Sequence, residues 1–160
     1  GTYEFIRANA TEAELGKYAG NLFAAMKVTY ANILADIAGA LGSADYENVR
    51  KIVAHDRRIG DAWMDVHHNT YRGFAGVCLP KDATALMAAM KKLSKKKPLY
   101  AKENILLKKG AEVIKAVLDY NDALLASQGL SLKDVGVHDR EWLTHRRDAR
   151  EIQKNKTKKA

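Results

Sequence analysis

Residues 11–41 read TEAELGKYAGNLFAAMKVTYANILADIAGAL and are followed by Gly42, and this run decides the fold. Thr11-Glu12-Ala13-Glu14 has the spacing of a capping box, in which side chains three residues apart satisfy the free N–H groups of a helix start. Gly42 supplies the C-terminal stop. One helix of about thirty residues follows, on the order of 45 Å long at ~1.5 Å per residue. On its wheel Leu15, Leu22, Met26, Tyr30, Ile33, Ile37 and Leu41 gather on one arc. Lys17, Asn21, Val28 and Asn32 lie opposite, and Gly16, Gly20, Ala24, Ala31, Ala35 and Ala38 form a third strip where another helix can approach closely. A helix this long, contacted on several sides, is expected to be a central pillar or a dimer seam.

The rest of the chain also reads as helix, with no alternating run long enough for a sheet. A second helix is expected from Ser43 or Asp45 to Ala54, with Val49, Ile52 and Val53 inward. Between Arg57 and Val77 the periodicity fails and Gly60, Asn69, Gly73 and Gly76 appear, the kind of irregular segment that often carries function. A third helix begins near Pro80 with Leu86, Met87, Met90 and Leu93 on its apolar side, and breaks at Ser94–Pro98. A fourth spans Glu103 to Gln128, with Ile105, Leu106, Val113, Ile114, Val117, Leu118, Leu124 and Leu125 as core, and stops at Gly129. A short helix over Asp139–Ile152 closes one all-α domain, residues 1–153, and Lys154–Ala160 is a basic tail.

The 160 residues are 47% hydrophobic, within the range of globular proteins, and no apolar run approaches the ~20 residues of a membrane span. Nothing at the N-terminus has the pattern of a signal peptide, so a cytoplasmic location is expected. The net charge of +8 is concentrated in Lys91, Lys92, Lys95, Lys96 and Lys97, and again in Arg146, Arg147, Arg150, Lys154, Lys156, Lys158 and Lys159. Such clusters fit either phosphate contact, making the chain a nucleic-acid-binding module, or solvated helix ends. Aromatic residues are not interleaved with them, which argues against single-strand binding.

Three segments carry candidate chemistry. In Gly73-Phe74-Ala75-Gly76-Val77-Cys78-Leu79-Pro80-Lys81-Asp82 the two glycines let backbone approach a ligand. Cys78, the only cysteine, falls where a helix start and Lys81 favour a thiolate. It reads as a nucleophile or, alternatively, as a small buried hydrophobe. Lys17 and Asn21, at i,i+4, place an ammonium and an amide side by side, either as an oxyanion-stabilising pair or as solvated neighbours. His55-Asp56-Arg57-Arg58 brings arginines to a helix end, where Arg58 can clamp a phosphate or carboxylate or simply complement the dipole. Asp65, His67 and His68 do not form a metal set, because adjacent histidines diverge, and none is expected.

Glu14…Lys17…Asn21, then Asp56-Arg57-Arg58-Ile59-Gly60, then Gly73…Cys78-Leu79-Pro80-Lys81-Asp82, in that order over residues 10–93, resemble the central section of the UDP-glucose/GDP-mannose dehydrogenase family. Ala75 and Arg57 depart from its pattern, where a glycine and a proline are usual. The resemblance implies a helical dimerisation domain and a two-fold oxidation of a nucleotide sugar using NAD. It implies Cys78 as nucleophile, Lys17 and Asn21 as oxyanion stabilisers, and Asp82 as the residue ordering or activating water. It further implies Gly73, Phe74, Gly76 and Lys81 along the sugar nucleotide, and Arg58 reaching the substrate of a partner subunit in a homodimer. No Gly-x-Gly occurs, so NAD is expected to be held by a domain absent from these residues, and the chain alone is expected to be inactive.

Overall fold

A computed structural model describes residues 5–68, 70–95 and 101–135. The long first helix, α1 (Ala10–Leu41), is the axis of the domain. Its cap is Asn9 rather than Thr11: the Asn9 side chain accepts from the Glu12 N–H at 2.9 Å, and the Glu12 carboxylate accepts from the Asn9 N–H at 2.8 Å. The capping box is therefore real but set two residues upstream. Gly42 ends the helix at φ 69°, a left-handed conformation natural to glycine.

Helix α2 (Tyr46–His55) starts on Asp45, whose carboxylate caps the Glu47 N–H. The irregular segment contains a small antiparallel hairpin, β1 (His67–His68) and β2 (Tyr71–Arg72), with His67 opposite Arg72. Helix α3 (Cys78–Leu93) begins two residues before Pro80, so Cys78 is its first residue. Helix α4 (Ala101–Ser127) ends where Leu130 N–H reaches back to the Leu125 carbonyl and Gly129 turns left-handed at φ 70°. A single further turn, α5 (Leu132–Val135), is braced by Asp134 on Ser131 and buries Val135. The described residues are all-α apart from the hairpin. The expected helix at Asp139–Ile152, the tail, and the charged residues there lie outside the described residues, as do Lys96, Lys97 and Pro98.

α1 packs on α2, α3 and α4, α3 packs along α4, and the hairpin rests on α4. α3 and α4 come close where the Met90 side chain crosses Gly110; a Cβ there would stand 2.4 Å from the Met90 methyl. Three clusters make the core. Ala25 and Val28 meet Phe74 and Val117; Ala31 meets Met64 and Val66; Tyr71 meets Leu125 and Val135.

The buried face of α1 is thus the strip of small and polar residues, Ala24, Ala25, Lys27, Val28, Thr29, Ala31, Asn32 and Ala38. The apolar arc faces out: Leu15, Met26, Tyr30, Ile33, Ile37 and Leu41 are exposed, Leu41 to 66%. Several inward assignments need correction in the same sense. Ile52 on α2, and Ile105, Leu106 and Val113 on α4, are more than half exposed, while Ile114, Val117, Leu124 and Leu125 are core as expected. Leu93 is half exposed.

Candidate functional site

The α1–α3 seam joins residues that lie 61 apart in the chain. Asn21 Nδ2 donates to Asp82 Oδ2 at 2.5 Å, and the Lys81 ammonium is bound to the other carboxylate oxygen. Asp82 is fully buried, whereas the Lys81 side chain is half exposed. The Lys81 bond first, and the Asn21 bond second, hold the Asp82 carboxyl below the usual aspartate value of 3.8 against the opposing effect of burial. Lys81 is correspondingly raised above 10.5, chiefly by its bond to Asp82. Lys17, one turn before Asn21, adds its positive field to the same carboxylate.

Tyr18 forms the floor of this group. The Lys17 Nζ lies 5.7 Å and the Lys81 Nζ 5.9 Å from the centre of its ring, within cation–π range. Cys78 precedes Asp82 by four residues on α3, which puts both on one helix face. It is exposed, so the alternative of a buried small hydrophobe does not hold. The structure therefore assembles Lys17, Asn21, Lys81, Asp82 and Cys78 around one end of the α1–α3 seam.

The other candidates are placed differently. Arg58 lies past the end of α2 with its side chain 90% exposed, and its guanidinium is held by Asp56 through Nη2 at 2.6 Å and Nε at 3.0 Å. It is not part of the α1–α3 seam cluster. Gly73, at φ 103°, is buried against α4, and a Cβ there would stand 2.7 Å from Asn121 Oδ1. Its close approach is thus to a helix of the same chain, which corrects the expectation of a ligand-facing glycine. The Phe74 ring is 1% exposed and belongs to the core. Gly76, at φ 75°, faces open space and remains the glycine of the loop that a ligand can approach.

A second polar cluster had no assigned role in the sequence. Arg72 donates Nε to Asn32 Oδ1 at 3.0 Å and Nη2 to Asp36 Oδ1 at 2.6 Å, while Tyr120 OH donates to the other Asp36 oxygen. Gln128 pairs with both backbone groups of Arg72, and Asn121 with both backbone groups of Phe74. Lys27, buried, donates to the Ile59 and Gly60 carbonyls and so fixes the turn after α2. The available signal was polarity at core positions: Asn121 follows Val117 by four residues and precedes Leu125 by four.

Lys91 lines a cleft of about 270 Å³ with Lys108, Ala111, Glu112 and Lys115. Glu112 and Asp119 partly neutralise this surface by pairing with Lys109 and Lys115. Among the described residues no three His, Cys, Asp or Glu side chains are placed to hold a metal ion, and no helix is long and apolar enough to cross a membrane.

The α1–α3 seam thus presents an exposed cysteine at a helix start, in a cluster with one amide and two ammonium groups. Residues 11–105 match the model of the UDP-glucose/GDP-mannose dehydrogenase family, central domain, and the chain belongs to that family. It is similar to the UDP-glucose 6-dehydrogenases of Rickettsia bellii (38% identity over 88 residues), Haloferax volcanii (38% over 84) and Bacillus subtilis (40% over 86). These matches cover 52–55% of this chain and 18–19% of each relative, so the chain spans about a fifth of the length of the curated relatives it matches.

Proposed function

We propose that the chain is the central domain of an NAD-dependent UDP-glucose 6-dehydrogenase-like enzyme, acting in the cytoplasm and contributing the covalent half of the active site. The observation that carries this reading is the Asn21–Asp82 bond beside Lys17, Lys81 and an exposed Cys78. NAD, when bound to the whole enzyme, accepts the two hydrides. In this reading NAD is bound by a part of the enzyme other than these residues, in which no Gly-x-Gly occurs.

The chemistry left to this chain follows from its donors. The Cys78 thiolate adds to the aldehyde carbon of the half-oxidised sugar, forming a C–S bond while the carbonyl π pair moves onto oxygen. Asn21 Nδ2 has two hydrogens, one given to Asp82 and one free for that oxyanion. Lys17 supplies the charge, and each positioned donor is worth roughly 3 kcal/mol to such a step. After the second oxidation, water attacks the thioester, the C–S bond breaks and the thiolate leaves. Asp82, with both oxygens engaged and its carboxyl held acidic, orients Asn21 and orders that water; it is a poor proton acceptor. Lys81 and the open side of Gly76 lie toward the nucleotide sugar.

The exposed arc of α1 is the proposed homodimer seam. An apolar stripe of this length left in water is an interaction surface, and a second copy of α1 matches it. Arg58, unabsorbed by its own protomer's site, then serves the partner's. Sedimentation should find a dimer; a monomer at micromolar concentration would remove the seam. With NAD and UDP-glucose the chain alone should produce no NADH. A direct test of the covalent step uses the UDP-glucose 6-aldehyde labelled with ¹³C at the aldehyde carbon. The label should move to the thiohemiacetal region on adding the chain and remain unshifted with Cys78→Ser. An unshifted label with the wild type sinks the reading.

A further inference from the structure

We infer that Asn121 is a positioning residue for the nucleophile: it fixes the loop that delivers Cys78 to the start of α3. The inference rests on the reading of Cys78 as nucleophile and adds to it a residue on α4, beyond the 11–105 segment that matches the family model.

Asn121 is 1% exposed and sits on the core face of α4. Its Oδ1 accepts from the Phe74 N–H at 2.7 Å and its Nδ2 donates to the Phe74 carbonyl at 2.9 Å, so one amide side chain pairs with both backbone groups of one residue, as a neighbouring strand would. Gln128, seven residues on and immediately past the end of α4, does the same for Arg72 at 2.7 and 3.0 Å. Between these anchors lies Gly73, where the missing Cβ lets Asn121 Oδ1 approach to what would be 2.7 Å. A loop normally leaves its backbone groups to water. This one is bolted at two points, to α4 and to the residue that follows its end, and the second bolt is four residues before Cys78. The intervening Gly76 has a left-handed φ, and a Cβ there would meet open space. The placement of Cys78 relative to Asn21 is thereby set from Phe74 on one side and from the α1–α3 contact on the other.

A buried side-chain amide is a costly way to hold a loop if position does not matter, because it leaves buried donors and acceptors orphaned when its partner moves. A core serving stability alone would be served by Leu at position 121.

The test compares Cys78 alkylation by iodoacetamide, at about pH 6.5 where an ordinary thiol is largely protonated, in four proteins: the wild type, Asn121→Ala, Asn121→Asp and Ile114→Ala. Ile114 is buried on the same helix away from the loop and serves as a matched core lesion. The expected result is a rate for the wild type above that of a cysteine model peptide, and a fall of about five-fold or more in Asn121→Ala. Asn121→Asp, which keeps the acceptor for Phe74 N–H and loses the donor, should lie between, and Ile114→Ala should keep the wild-type rate. Hydrogen exchange of the Phe74 amide should speed up in Asn121→Ala ahead of the other core amides. If the wild type reacts no faster than the peptide, the nucleophile reading itself fails. If the wild type is fast and Asn121→Ala equals it, or if Ile114→Ala falls by the same factor, Asn121 is structural only and the inference is overturned. Should Asn121→Ala not fold, the Asn121→Asp rate decides.

Discussion

Two asparagines on α1, eleven residues and about three turns apart, face the same side of the helix and meet opposite fates. Asn32 is fully buried, and its side chain is committed to the Val28 carbonyl and to Arg72. Its cluster is balanced: Arg72 faces Asp36, Tyr120 takes the remaining carboxylate oxygen, and Gln128 takes the backbone. Asn21 is half-buried, and its cluster is unbalanced, with Lys17 and Lys81 against the single carboxylate of Asp82 beside an exposed thiol. The closed cluster has every group used and makes structure. The open one keeps spare donors and excess positive charge at its mouth, which is what a site for an anionic intermediate requires.

The comparison breaks first where it predicts the largest loss of stability. Arg72→Ala orphans the buried Asn32 Oδ1 and releases Asp36, and should cost about 2 kcal/mol in denaturant unfolding, with the hairpin loosened. Lys17→Ala, an exposed cation over a ring, should cost under about 0.5 kcal/mol while reducing the thiohemiacetal signal several-fold. Equal stability losses for the two would erase the distinction between a structural and a chemical cluster.

The smallest effect is in acid. Asp82 and Asp36 both titrate below 3.8 in the folded chain. For Asp82 the Lys81 and Asn21 bonds are the cause; for Asp36 burial opposes the shift but the Tyr120 and Arg72 bonds outweigh it. A depressed carboxyl stabilises the fold above its unfolded value and loses that contribution as pH falls through the folded one. Stability should therefore be flat from neutrality to about pH 5 and decline below 3.8. Asp82→Asn and Asp36→Asn should each flatten part of that acid limb. A limb unchanged in both variants would mean that neither carboxylate is held as the geometry indicates.

Much of the fold was legible because its signals are local. Gly42 and Gly129 end helices as glycine does, and the order of Lys17, Asn21, Asp56, Cys78 and Asp82 carries the family resemblance without any knowledge of contacts. The face of α1 was not legible in the same way. Periodicity finds an apolar arc, and ordinarily such an arc faces the protein's own interior. Here α3, α4 and the hairpin chose the strip of alanines with Lys27, Asn32 and Val28, because small residues let helices and a loop come close. Gly73 misled for a related reason. Its freedom is real, but the group that approaches it is Asn121, forty-eight residues away, and no spacing rule reaches that far. Phe74 followed it into the core.

The outward arc of α1 has a further consequence for the life of the chain in a cell. The same rod is both the wall of its own core and an exposed apolar surface, so in the proposed dimer folding and assembly would be coupled. A chain made at low abundance, or one whose seam carries a charge, would fold correctly and still present Ile33, Ile37 and Leu41 to chaperones and proteases that read exposed apolar surface as damage. Substitutions along that arc would then register as lower steady-state amounts of protein, with the alkylation rate of Cys78 unchanged in whatever survives.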